Sequence, residues 1–356
     1  MGRDAVVGPW VRALRDPVAL AYLAAVVLGL TQAAVLNEPE RTLPATAPYL
    51  LAWLVAIAVR LVGPRDGRGL EWWVQGLTVA GAVLSVWLLA TFLTALPEGV
   101  GQEHGFYRIK VSVTSPVGDH NTAAGLLLPA VVAAAACAAR DRRWVVALGV
   151  TTLGLVATLS RGAVLVLLVL ALLAARIASE RGLKRALLTS AVAATGLLVG
   201  LTLLLDTSPP GVDLPEHGHL GASVLGRIDL AERGVELGLA NPLLGVGLGG
   251  FAQQADDLPP PNDHAHQLLA HAGAEGGVVL LLVAVAVPVL LAVRVLRLPA
   301  GRGRDVLLLG GLGLVAHAQV EILGGRPGYE VLVAMLASLA VVRAEAHRIS
   351  ADGSGA

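Results

Sequence analysis

Long apolar runs dominate this sequence and limit what it can fold into. About ten of them fall near 17–36, 46–63, 72–96, 122–139, 144–160, 162–178, 186–205, 267–293, 305–323 and 329–346. A helix rises 1.5 Å per residue, so roughly 20 apolar residues cross the roughly 30 Å hydrocarbon core of a bilayer. Several runs are apolar on every face, as helices embedded in lipid are. Composition agrees: 55% of residues are hydrophobic and 15% charged, where soluble domains carry about 25% charge. The expected fold class is an all-α polytopic membrane protein with about ten transmembrane helices. The first run, Pro17 to Leu36, follows Arg3, Arg12 and Arg15. It is too long for a signal-peptide core and is read as a retained helix.

Lysine and arginine set the expected orientation, because cytoplasmic connections accumulate them. With the N-terminus inside, nineteen of the 26 fall on cytoplasmic connections. The other seven are Arg41, Arg108, Lys110, Arg161, Arg227, Arg233 and Arg326. Both termini are then cytoplasmic, and two long connections, about 97–121 and 207–265, lie outside. The expected organisation is seven helices over 1–206, an extracytoplasmic loop over 207–265, three helices over 266–346 and a cytoplasmic tail over 347–356. Within the large loop, Ser223 is expected to cap a short amphipathic helix over about 224–240, ended by Asn241-Pro242. Pro259, Pro260 and Pro261 would make a stiff approach to the next span.

Several functions are disfavoured at once. Net charge is zero, so no basic field invites nucleic acid. Cytoplasmic connections are short and carry no P-loop, which argues against ATP-driven transport by this chain alone. Cys137 is the single cysteine and reads as a small buried apolar side chain.

The polar residues near the runs carry what chemistry there is. Arg161, in "LSRGAVL", sits between two apolar runs with almost no loop. It either snorkels to headgroups or stands as a fixed cation at a cavity mouth. Arg227 lies in "LGRIDLAERGVELGLANPLLGVGLGGF", where a solvated helix face with an Asp229–Arg233 pair is an equal account. The glycines of "GVGLGGF" could approach a phosphate closely, although such runs more often mark turns. The densest cluster is "PNDHAHQLLAHAGAEGG". His264 and His266 stand at its loop–helix junction, while His271 and Glu275 lie one turn apart on one helical face. Metal binding, a self-satisfying polar cluster and a catalytic histidine compete for these residues. His317 and Glu321, spaced i,i+4 in the ninth run, are further intramembrane candidates.

Taken in order, these segments resemble the O-antigen ligase / O-antigen polymerase family of bacterial surface-polysaccharide enzymes. The resemblance rests on the "SRGA" turn, the outer "GR…NPLLGVGLGGF" loop and "HAHQLLAHAGAEGG" opening a span. "SPVGDHNTAAGLLLP" around Asn121 and "HAQVEILGGRPGYEVLVAMLASLAV" near the end extend it over roughly 115–345. It implies a GT-C-like membrane glycosyltransferase at the outer face of the cytoplasmic membrane. Such an enzyme passes a glycan from undecaprenyl diphosphate to a hydroxyl on a glycan, lipid or protein acceptor. No cofactor and no metal is implied, and membrane lipids are the surroundings. By resemblance, Arg161 and Arg227 bind the donor diphosphate and His266 is the general base, with His264, Glu275, Asn121 and His271 in support. The chain departs from the family at Gln267, where Asn is usual, and at Ala231, where an aromatic is common. It also has about ten spans where many members have about twelve. The rival readings are a secondary transporter, which would show two matching halves with broken helices, and a non-catalytic membrane subunit of a polysaccharide export system.

Overall fold

A computed structural model describes residues 3–63, 67–100, 102, 105–205, 218–255, 264–321 and 324–353. In chain order the helices are α1 (Arg3–Leu14), α2 (Pro17–Val35), α3 (Pro39–Val62), α4 (Gly67–Gly99), α5 (Gly105–Ser112), α6 (His120–Ala138) and α7 (Val145–Ala157). They continue with α8 (Arg161–Ile177), α9 (Arg181–Leu205), α10 (Gly218–Ala240), α11 (Phe251–Gln254), α12 (Leu268–Leu296), α13 (Arg302–Ala318) and α14 (Pro327–Gly353). A single 3-10 turn, Arg142–Trp144, leads into α7. Each expected run overlaps a helix. Among the described residues six helices, α2, α3, α4, α6, α9 and α12, are long and apolar enough to cross a membrane. Of the remaining expected runs, α7, α8 and α13 have 13, 17 and 17 residues.

The helix starts follow from capping chemistry. Asp16 accepts from the Val18 amide with Pro17 at the first helical position, Asp119 accepts from Thr122 and Ser160 from Ala163. Each side chain satisfies an amide that has no partner within its own helix. Two boundaries differ from expectation. Helix α10 begins at Gly218, so Ser223 lies inside it rather than capping it. Helix α13 ends at Ala318, so His317 and Glu321 do not share a helical face. Helix α12 begins at Leu268, with His264 and His266 at the loop–helix junction just ahead of it. The expected extended segment at Pro259–Pro261 lies outside the described residues.

The helices form two compact units. One comprises 70–214 and 299–317. At its centre is α6, whose spanning window is 83% buried, against 28% for α4 and for α9. The alanines at 133–136 of α6 are fully buried; such small side chains let neighbouring backbones come close where lipid offers no hydrophobic drive. The other unit comprises 1–69, 215–298 and 318–356. In it α2, α3, α12 and α14 pack on one another, α1 lies on α3, and α10 and α11 lie on α12. A buried charge network ties these helices together. Asp16 takes both carboxylate contacts from Arg294 at 3.0 and 3.1 Å, lies 3.5 Å from Arg60 Nε, and Arg60 reaches Glu345 at 2.8 Å.

This second unit contains one broken helix. At Gly277, φ is +57° and ψ −150°, a conformation open essentially only to glycine. The break frees backbone groups, and the loop after α10 takes them up. Val246 and Gly247 amides donate to the Ala274 and Glu275 carbonyls at 2.8 and 3.1 Å, and the Val278 amide donates to Pro242 at 2.8 Å. Fully buried Gln32 of α2 completes the joint, donating to Glu275 O at 2.8 Å and accepting from the Leu248 amide at 3.1 Å. Non-helical backbone at membrane depth persists where protein groups satisfy it in this way. The glycines of "GVGLGGF" therefore approach a helix backbone: a Cβ at Gly245 would run into Glu275 and Ala274.

Candidate functional site

The loop-to-helix junction before α12 gathers several ionisable side chains. Gln267 caps α12, accepting from the Ala270 amide at 2.5 Å, and its amide nitrogen donates to Gln319 at 2.9 Å. Its side-chain oxygen thus satisfies a first-turn amide, as an asparagine at a helix start can, while its amide nitrogen is used elsewhere. His266 precedes it with φ +47°. A left-handed backbone at a bulky non-glycine residue costs on the order of 1–3 kcal/mol and persists only where surroundings enforce it.

That conformation aims the imidazole at Glu321. His266 Nδ1 lies 3.3 Å from Glu321 Oε2, with both side chains at least nine-tenths buried. The other carboxylate oxygen pairs with Arg227 Nη2, and Arg227 Nη1 donates to the Val320 carbonyl at 3.2 Å. Arg227 projects from α10 and is about a third exposed, so part of its five-donor fork still faces outward. The His264 ring lies beside that of His266, tilted against it with centroids 5.0 Å apart, and His271 follows edge-on at 6.4 Å from His264. One turn along, His271 Nε2 lies 3.4 Å from Glu275 Oε2. Glu275 Oε1 accepts from the Phe251 amide at 3.3 Å, and Phe251 meets the His271 ring edge-on. Among the described residues no three His, Cys, Asp or Glu side chains converge as a metal-ligand set.

Arg227, His264, His266, His271 and Glu275 are therefore gathered in one unit, while Arg161 and Asn121 belong to the other. Arg161 is the first residue of α8, and its guanidinium lies 4.5 Å over the Phe106 ring. A cation at a helix N-terminus is unfavourably placed against the helix dipole; the ring face offsets part of this. The same position, next to unsatisfied amides, suits an anion. Asn121 lies in the first turn of α6, its carbonyl 3.1 Å from His317 Nε2. Among the described residues its buried side-chain oxygen accepts no hydrogen bond.

Three residues matter more than their sequence context suggested. Glu321 reads as a ninth-span residue by its spacing from His317, and its real partners are distant in sequence. Gln32 is an uncharged amide inside an apolar run; that polarity was the available signal. Arg41 is a third, holding the glycine loop through Gln253 and the Val246 carbonyl.

Residues 145–285 match the family described as O-antigen ligase. No curated protein matches the chain. The matched stretch contains Arg161, Arg227, His264, His266, His271 and Glu275; Asn121 and Glu321 lie beyond it. Together with the apolar helices, the match supports a membrane protein of polysaccharide biosynthesis, acting in glycan transfer of the ligase or polymerase kind.

Proposed function

We propose that this chain, a membrane protein with an O-antigen ligase segment, transfers a glycan from a polyprenyl diphosphate to an acceptor hydroxyl at the outer face of the cytoplasmic membrane. The observation that carries the reading is the shared carboxylate: Glu321 bonds His266 through one oxygen and Arg227 through the other. A carboxylate on Nδ1 holds the imidazole in one tautomer, leaving Nε2 as the proton acceptor, and stabilises the imidazolium that forms. His266 would then take the proton from the acceptor hydroxyl as that oxygen attacks the anomeric carbon. The bond from that carbon to the diphosphate breaks, and the lipid diphosphate leaves with its growing charge.

Arg161 and Arg227 are the cations assigned to that leaving group, because a guanidinium binds phosphate oxygens bidentately and lowers the barrier as charge develops. Asn121, with an unused buried acceptor, is assigned to hold a substrate hydroxyl. The outward placement is supported by the nineteen-to-seven division of Lys and Arg. No step calls for a metal. Cells lacking the protein should accumulate polyprenyl-diphosphate glycan, and wild type but not His266→Ala should clear it. Normal lipid-linked glycan levels in the deletion strain would refute the assignment.

A further inference from the structure

The unit built from 70–214 and 299–317 has a second feature, independent of the glycan-transfer reading. Helices α4 and α7 leave an open groove of about 720 Å³ between them, lined by residues such as Val79, Val83, Val146 and Val150. Val83 is 67% and Val146 72% exposed. Along its length the lining is aliphatic; polarity enters at one end, where the 3-10 turn places Arg143 and Trp144 in the wall.

That end is electropositive. Arg140 and Arg302 share one carboxylate, Glu71. Arg142 and Arg143 follow on the turn, and the Arg143 side chain is 90% exposed. The one carboxylate in the groove wall, Asp141, lies 3.9 Å from Arg143 Nε and already accepts from the Arg143 amide. Arg143 and Asp141 line the groove itself, and with Arg140, Arg142, Arg302 and Glu71 the named residues number four arginines and two acids.

We propose that this groove is a binding site for an anionic phospholipid, with an acyl chain between α4 and α7 and the phosphate at Arg142 and Arg143. The shape selects an amphipathic ligand with one long apolar arm and one charged head. Guanidinium groups suit a phosphodiester, and an indole ring at the boundary is the usual marker of headgroup depth. Basic pockets at the ends of membrane helices recognise anionic headgroups over zwitterionic ones.

The test is native mass spectrometry of the full chain purified in mild detergent and exchanged with phosphatidylglycerol or phosphatidylcholine. Wild type should retain phosphatidylglycerol in preference to phosphatidylcholine. Val83→Trp, filling the groove from an exposed position, and the double variant Arg142→Glu/Arg143→Glu should each cut that retention about tenfold or more. Leu165→Trp, on the exposed face of α8, should not, and melting curves should show all variants folded. Equal retention of both lipids, or retention undiminished in Val83→Trp, would overturn the site as ordinary surrounding lipid. A dimer in wild type that Val83→Trp dissociates would overturn it too, since the groove would then seat a second copy.

Discussion

Arg227 and His266 meet on opposite oxygens of a single carboxylate, that of Glu321. Under the proposed reaction this makes the leaving-group cation and the base interdependent. A diphosphate arriving at Arg227 competes with Glu321 for the guanidinium. As that contact weakens, more of the carboxylate's charge becomes available to the imidazole. Donor binding would thereby strengthen the base at the moment it is needed.

Glu321→Ala separates the two roles. It releases Arg227, so donor affinity should hold or rise, while loss of the group orienting His266 should lower turnover by about tenfold or more. Binding of a polyprenyl-diphosphate analogue and transfer in proteoliposomes would be measured side by side. Weaker binding with unchanged turnover would exclude the interdependence.

His266→Ala should remove the general-base contribution, about 10²–10⁴-fold, with donor binding retained. Arg161→Ala and Arg227→Ala should instead weaken donor binding, and Lys should substitute poorly because an ammonium has no bidentate fork. His264, 5.0 Å away ring to ring, is the competing base. Transfer that survives His266→Ala but not His264→Ala would move the role to His264; transfer that survives both would make the cluster structural.

Gly277→Ala and Gly245→Ala should destabilise the protein. The first forces a Cβ into a glycine-only conformation, costing on the order of 1–3 kcal/mol, and against the Pro242 and Leu243 backbone. The second drives a Cβ into the broken helix. Gly149→Ala, whose Cβ would meet nothing within 4 Å, is the control. Melting temperatures in detergent decide the matter; equal melting of Gly277→Ala and Gly149→Ala would contradict the joint.

Asp16→Ala should cost about 3–5 kcal/mol, because it strands Arg294 without its buried carboxylate and leaves Arg60 with Glu345 alone. A surface pair would cost about 0–1 kcal/mol, so thermal unfolding distinguishes a buried network from a superficial one.

A cysteine at Ser223 tests the topology. The native Cys137 is buried and leaves a quiet background. Ser223→Cys should react with an impermeant thiol reagent in whole cells, and labelling only after lysis would reverse the proposed sidedness.

How much of this was legible in the sequence depended on whether the deciding contact was local. Helix positions such as α6 and α9 were legible because uninterrupted apolar runs force backbone hydrogen bonds to close within the segment. The His271–Glu275 pair was legible because a helix puts residues four apart on one face. The pairing of Glu321 was not: its partners lie 94 and 55 positions away, and its regular spacing from His317 suggested a helix that ends three residues earlier. The break in α12 was hidden for a related reason. In "AHAGAEGGVVLL" a glycine inside an apolar run reads as continuous helix, and the loop that rewards the break touches backbone, which leaves no side-chain pattern to read.

The joint at Gly277 also bears on how the chain is made. The second half of α12 is apolar enough to enter lipid, yet its start exposes backbone groups that are costly to leave unsatisfied there. Their partners, Gln32 and the 242–248 loop, all precede it in the chain. Synthesis from the N-terminus therefore supplies the receptor before the ligand, and α12 can close its own break on arrival. A circular permutant that placed α12 ahead of α2 would reverse that order and leave the broken span waiting, unmatched, for partners not yet synthesised.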